Sequence, residues 1–235
     1  MNLTLAARGA TRRAGFTLIE IIVVITVLSI LAGAAVPVVQ KAIATAARKT
    51  TRAELEVLAE AAREYCRDTN NVPLSILDLE RDPRRANSVG WSGPYVSGAI
   101  PVSATKSGFA ADAWSRDYRV TSGTTLVITS AGDDGVFGDA NDIAITVDFT
   151  AIRREKTLLK LATINQAVTL YNAAYQSTSP LSSNYSTALN RLVATRFLPD
   201  RNSYLKDSWN TNFTADPPGR APLVKVRSTS IPQAP

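Results

Sequence analysis

Phe16–Val39 reads FTLIEIIVVITVLSILAGAAVPVV, an apolar run with a single charge, Glu20. Coiled as an α-helix it is about 36 Å long, enough to cross the hydrocarbon of a bilayer. A secretory signal peptide fits poorly, because its apolar core is only about 7–15 residues long and carries no carboxylate near its start. An ordinary anchor also fits poorly, since an unpartnered carboxylate just inside a spanning helix costs several kcal/mol. Arg8, Arg12 and Arg13 precede the run. They read as a cytoplasmic flank under the positive-inside rule.

Gly15-Phe16-Thr17-Leu18-Ile19-Glu20 resembles the prepilin peptidase recognition motif of type IV pilins and pseudopilins. The resemblance implies cleavage after Gly15, N-methylation of Phe16, and Glu20 as the fifth mature residue. It makes residues 1–15 a leader and 16–39 a transmembrane and assembly helix. A carboxylate in low dielectric seeks a cation. The new amine of a neighbouring subunit is one such partner for Glu20; snorkelling to the headgroups is the other reading. Pro37 removes a helix hydrogen bond close to Gly33, so a kink is expected there. The resemblance further implies that this segment loosens when the helix passes from membrane to filament.

The helix is expected to continue to about Asp68. Leu55, Leu58, Ala62 and Tyr65 recur at helical spacing and form one apolar face. Asn70-Asn71-Val72-Pro73 ends it, and a short apolar turn or helix follows at Leu74–Leu79. Gly90-Trp91-Ser92-Gly93-Pro94-Tyr95 resembles the W-x-G-P-Y stretch of the major pseudopilin of type II secretion systems. Asp112-Ala113-Trp114-Ser115-Arg116-Asp117-Tyr118 resembles that family's D-P-W-G-x-x-Y, with Ala113 where Pro is usual. Trp114 and Tyr118 read as core aromatics. Strands are predicted near Tyr118–Thr121 and Thr125–Ser130.

Between Ala131 and Ile143 lie Asp133, Asp134, Asp139, Asn141 and Asp142, spaced by glycines. Hard cations such as Ca²⁺ take six to eight such oxygens. The spacing is not that of an EF-hand, and a solvated acidic turn is the other reading. Major pseudopilins carry a calcium loop at this place. The resemblance therefore implies a Ca²⁺ site at Asp134, Asp139, Asp142 and the Ala131 carbonyl. The chain has one cysteine, Cys66, so no intrachain disulfide can brace the loop.

The likeness to the family ends near Thr150. Beyond it the sequence echoes itself. Gln166–Tyr171 matches Glu60–Tyr65, and Leu161 and Ile164 match Leu55 and Leu58. Pro180-Leu181-Ser182 matches Pro73-Leu74-Ser75. Asp207-Ser208-Trp209 with Phe213 matches Asp112-Ala113-Trp114 with Tyr118, and Leu223–Val226 matches Leu126–Thr129. A second helix is predicted over Ala151–Gln176, with Leu161, Ile164, Val168, Tyr171 and Tyr175 on one face. No counterpart of the acidic loop follows, and the last six residues, Ser230–Pro235, are expected to fray.

The chain has no His, which excludes His-based acid–base chemistry and His metal sites. Of the net charge of +6, three units sit in the leader. The remainder is too weak to point to nucleic acid.

The fold expected is α+β: a long N-terminal helix on a small antiparallel sheet over 40–150, and a second, degenerate unit over 151–235. The function implied is structural, not enzymatic. The chain reads as a subunit of a type II secretion-like pseudopilus, cut by prepilin peptidase and polymerised from the inner membrane by an assembly platform. Its partners are further copies of itself and other pseudopilins. The resemblance implies a single-pass inner-membrane protein with a cytoplasmic N-terminus and a periplasmic globular part, which becomes a periplasmic filament after assembly. A type IV pilin of a surface filament is the alternative.

Overall fold

A computed structural model describes residues 17–84, 89–97 and 108–231. The Gly15–Phe16 junction and residues 232–235 of the expected frayed end lie outside them. The chain divides into two units, residues 1–49 and 50–235.

The described part of the first unit is helical. Helix α1 runs over Leu18–Thr69 with Pro37 inside it. Leu18, Ile30 and Val38 are each about two-thirds exposed or more. An 18-residue window of this helix has mean hydropathy 2.7, long and apolar enough to cross a membrane.

In the second unit α1 changes character. Leu55, Leu58, Ala62 and Tyr65 are all buried, at the helical spacing expected of them. Full burial of a leucine side chain contributes about 2 kcal/mol. Asn70, at φ 60°, ends the helix, since Asn tolerates the left-handed conformation of a helix C-terminus. Helix α2 (Leu77–Glu80) follows. Trp91 and Tyr95 fold back onto the end of α1. The Tyr95 ring meets Tyr65 edge-on at 5.8 Å, and its hydroxyl donates to Asp68 Oδ2 at 2.8 Å. The Trp91 indole donates to the Asp78 carbonyl at 3.0 Å. A turn of 3-10 helix at Gly108–Ala110 leads into strands β1 (Arg119–Ser122), β2 (Thr125–Ser130) and β3 (Ile143–Asp148). They form an antiparallel sheet in the order β1-β2-β3. Cys66 lies fully buried in this first core, and burial pushes its thiol pKa up.

Helix α3 (Thr150–Tyr175), helix α4 (Tyr185–Ala194), the short α5 (Asn202–Leu205) and a two-stranded sheet of β4 (Thr214–Asp216) and β5 (Lys225–Arg227) enclose a second core. Ile164, Val168 and Tyr171 are buried in it. Tyr175 is 43% exposed, contrary to its expected place on the apolar face. Four elements were not foreseen from the sequence: strands β3 and β4 and helices α4 and α5. Strand β3 continues directly from the acidic loop. Helix α4 starts at Asn184, whose side chain accepts from the Thr187 N–H.

The two cores share one local device. Asp112 Oδ1 accepts from the N–H groups of Trp114 and Arg116, and Oδ2 accepts from the Ser130 hydroxyl at 2.6 Å. Asp207 Oδ1 accepts from Trp209 and Thr211, and Oδ2 from Ser228 at 2.7 Å. The buried Thr51 hydroxyl accepts from the Ala113 N–H, as the buried Thr157 hydroxyl accepts from Ser208. Ser115 and Asn210 hold the matching left-handed positions, at φ 63° and 65°. Ser228 thus stands for Ser130 and Val226 for Ile128. The strand correspondence is one residue out from the sequence match of Leu223–Val226 to Leu126–Thr129. The Asp–Ser hydrogen bond, which a side-by-side reading of apolar runs does not contain, sets it.

Candidate functional site

Thr17 and Glu20 form a reciprocal cap at the start of α1. Glu20 Oε2 accepts from the Thr17 N–H and hydroxyl, each at 3.2 Å, and the Glu20 N–H donates to Thr17 Oγ1 at 3.3 Å. This is the capping-box arrangement of Thr-x-x-Glu, which satisfies two of the donors that a helix start leaves orphaned. The spacing was visible in the sequence. Reading Glu20 only as a charge in search of a cation missed it. Glu20 is exposed, so its carboxylate remains open to a second partner beside the cap. An added Cβ at Gly33 would meet nothing, so that position presents a bare notch one turn before Pro37.

The acidic loop is built on β2 and β3. Ala131 is buried at its base. Gly132 takes φ 64° with its Cα pressed on the Asn141 carbonyl, where a side chain would collide with backbone. The Arg116 guanidinium binds the loop from below. It donates from Nη1 to the Gly132 carbonyl, and from Nη2 to the Asp133 carbonyl at 3.0 Å. The loop carboxylates turn onto their own backbone. Asp134 Oδ1 accepts from Val136, Asp139 Oδ1 from Asn141, and Asp142 Oδ2 from Gly138, at 2.7–2.9 Å. The Val136 N–H and then the Asn141 amide, at 3.1 Å, hold the Asp134 carboxyl below the usual carboxylate range.

The donor set tests in two directions for a hard cation. Asp142 Oδ1 is buried and has no donor among the described residues. On the other side, no three His, Cys, Asp or Glu side chains among the described residues gather as a metal site. Arg116 also already occupies two loop carbonyls. The loop thus supplies oxygens at Asp134, Asp139, Asp142 and the Ala131 carbonyl, with no preformed ligand cage among the described residues.

Comparisons with known proteins fall on these two features. Residues 10–36 match the prokaryotic N-terminal methylation motif. Residues 38–148 match type II secretion system protein G. The second match runs from the helix that follows the apolar stretch to the last residue of β3. No curated protein and no solved structure gives a match. The protein G match takes in 111 of the 235 residues and contains α1 from Val38, the three-stranded sheet and the acidic loop between β2 and β3. Residues 38–148 therefore carry a type II secretion protein G domain behind an N-terminal methylation motif, and by that domain the chain is a pseudopilin.

Proposed function

We propose that prepilin peptidase cuts this pseudopilin between Gly15 and Phe16, that Phe16 is N-methylated, and that the chain is then drawn from the inner membrane into a periplasmic filament that drives protein export. Helix α1 anchors the subunit before assembly, with the N-terminus cytoplasmic and residues 50–235 periplasmic. In the filament Glu20 pairs with the N-terminal amine of a neighbouring subunit. The observation that carries this reading is the position of the Thr17–Glu20 cap. It sits at the first residues of α1, next to the junction of the methylation motif, with the exposed carboxylate one helical turn from the cut. Subunits in the correct axial stagger neutralise that carboxylate, and others leave it buried and unpaired.

The acidic loop is the proposed Ca²⁺ site, held by Asp134, Asp139, Asp142 and the Ala131 carbonyl. Bound Ca²⁺ would draw together and neutralise the three loop carboxylates and tie β2 to the start of β3. No catalytic group is involved, and the chain acts as a structural subunit. Other pseudopilins and the membrane assembly platform are its proposed partners.

The experiment is export in a strain whose only copy carries Gly15→Leu. Mass spectrometry should find residues 1–15 still attached, and export should fall to the level of the deletion strain. Normal export with the leader retained would sink the proposal. Extracellular filaments with intact export after deletion would favour a surface type IV pilin instead.

A further inference from the structure

Strand β2 is covered on both edges, and its counterpart β5 is not. Ile128 pairs with Val120 of β1 on one side and Ile145 of β3 on the other. Val226 pairs with Ala215 of β4 on one side, and no described strand lies on the other. An open strand edge presents unpaired N–H and C=O groups to any chain that can align with it.

A side chain occupies that place instead. The Val226 N–H donates to Asn165 Oδ1 at 2.7 Å, and Asn165 Nδ2 donates to the Val226 carbonyl at 3.2 Å. One carboxamide thus makes both hydrogen bonds that a neighbouring antiparallel residue would make. Two helical turns further along the same face, Asn172 Nδ2 donates to the Leu223 carbonyl at 2.8 Å. The correspondence set by Thr51 with Thr157 and Tyr65 with Tyr171 puts Ala59 where Asn165 stands and Cys66 where Asn172 stands. Both first-lobe residues are buried and neither carries a carboxamide. Where β3 is present the helix is apolar; where β3 is missing it carries amides. Beside Asn165 a groove of about 320 Å³, lined by Leu158, Leu161, Lys225 and Ile231, runs between α3 and β5.

We propose that Asn165 closes the β5 edge against strand addition, standing in for β3. Its removal converts the edge and groove into an acceptor for an extended segment with the pattern of Ile143–Asp148. The device suits a subunit proposed to polymerise through α1. Edge-to-edge strand pairing between heads would compete with that geometry.

The test uses the full chain in detergent micelles. In the wild type the Val226 amide should exchange with solvent at least tenfold more slowly than the Val224 amide. Equal exchange would overturn the proposal without any variant. Asn165→Ala installs the residue of the first lobe. It should bind a labelled peptide copying residues 143–148 at least tenfold more tightly than the wild type, or self-associate with loss of that binding capacity. A folded, monomeric Asn165→Ala that binds no more peptide than the wild type would overturn it. Asn165→Asp covers the case in which Ala fails to fold. It keeps the acceptor for the Val226 N–H and loses the donor to its carbonyl. Peptide affinity above that of the wild type supports the plug, and affinity equal to it counts against.

Discussion

Asp207 accepts the Ser228 hydroxyl at 2.7 Å in a buried contact that ties the turn before Trp209 to strand β5. The same carboxylate organises the turn itself through the N–H groups of Trp209 and Thr211. Removing it leaves two backbone donors and a buried hydroxyl without their acceptor. Losses of this kind cost about 2–4 kcal/mol together. Asp207→Ala should lower the melting temperature of the full chain in detergent by about 5–10 °C. Asp112→Ala should do the same, because its contacts repeat those of Asp207. A fall of under about 2 °C for both would show that the device is incidental to stability.

Thr17→Ala and Glu20→Ala separate two roles of the helix start. Both remove the cap, which is worth about 1 kcal/mol of helix stability. Only Glu20→Ala removes the carboxylate proposed to pair with a neighbour's amine. In cells co-expressing tagged variant and wild type, Glu20→Ala should enter filaments at under about a tenth of the wild-type level, since tenfold corresponds to about 1.4 kcal/mol. Thr17→Ala should enter nearly normally. Equal loss for both would reduce Glu20 to a capping residue.

The long helix and first sheet were legible because their signals are local. Phe16–Val39 is apolar throughout, and Leu55, Leu58, Ala62 and Tyr65 keep one period. Strand β3 was hidden by its neighbour. Asp142-Ile143 read as the end of an acidic loop, although Ile143, Ile145 and Val147 alternate as a strand does. Helix α4 is short and begins among Ser and Asn residues, which favour turns as well as caps. The Asp112–Ser130 and Asp207–Ser228 pairs join residues 18 and 21 positions apart. No periodicity marks such a pair. The Asp–Ser pairs set Ser228 against Ser130, one residue out from the match of apolar runs, because no apolar run contains them.

The acidic loop gives a prediction about metal. If Ca²⁺ joins Asp134, Asp139 and Asp142, saturation a hundredfold above its Kd stabilises the fold by about 2.7 kcal/mol. For a chain of this size that is about 5–10 °C in melting temperature. EDTA should remove that increment from the wild type and nothing from Asp142→Asn, whose buried Oδ1 position no longer carries charge. A wild-type melt unmoved by EDTA and by added Ca²⁺ would assign the loop to Arg116 and its own backbone alone.

Glu54 sets a pH dependence whose sign is fixed by its surroundings. Burial raises its pKa above the ordinary 4.5, more than the Tyr118 hydroxyl, which donates to it at 2.9 Å, lowers it. A carboxyl with a raised pKa binds its proton more tightly in the folded state than in the unfolded one. Its contribution to stability is therefore full below the unfolded pKa and is lost as pH rises through the folded pKa. Other carboxylates act in the opposite direction. The Thr150 hydroxyl and N–H hold Asp148 below the usual range, so the wild-type melt alone cannot isolate Glu54. Glu54→Gln can, because it keeps an acceptor for Tyr118 and removes the titration. The difference in melting temperature, variant minus wild type, should be near zero at pH 4 and positive at pH 7. A difference that stays flat across that window, or turns negative as pH rises, would show that the Tyr118 hydrogen bond outweighs burial at this site.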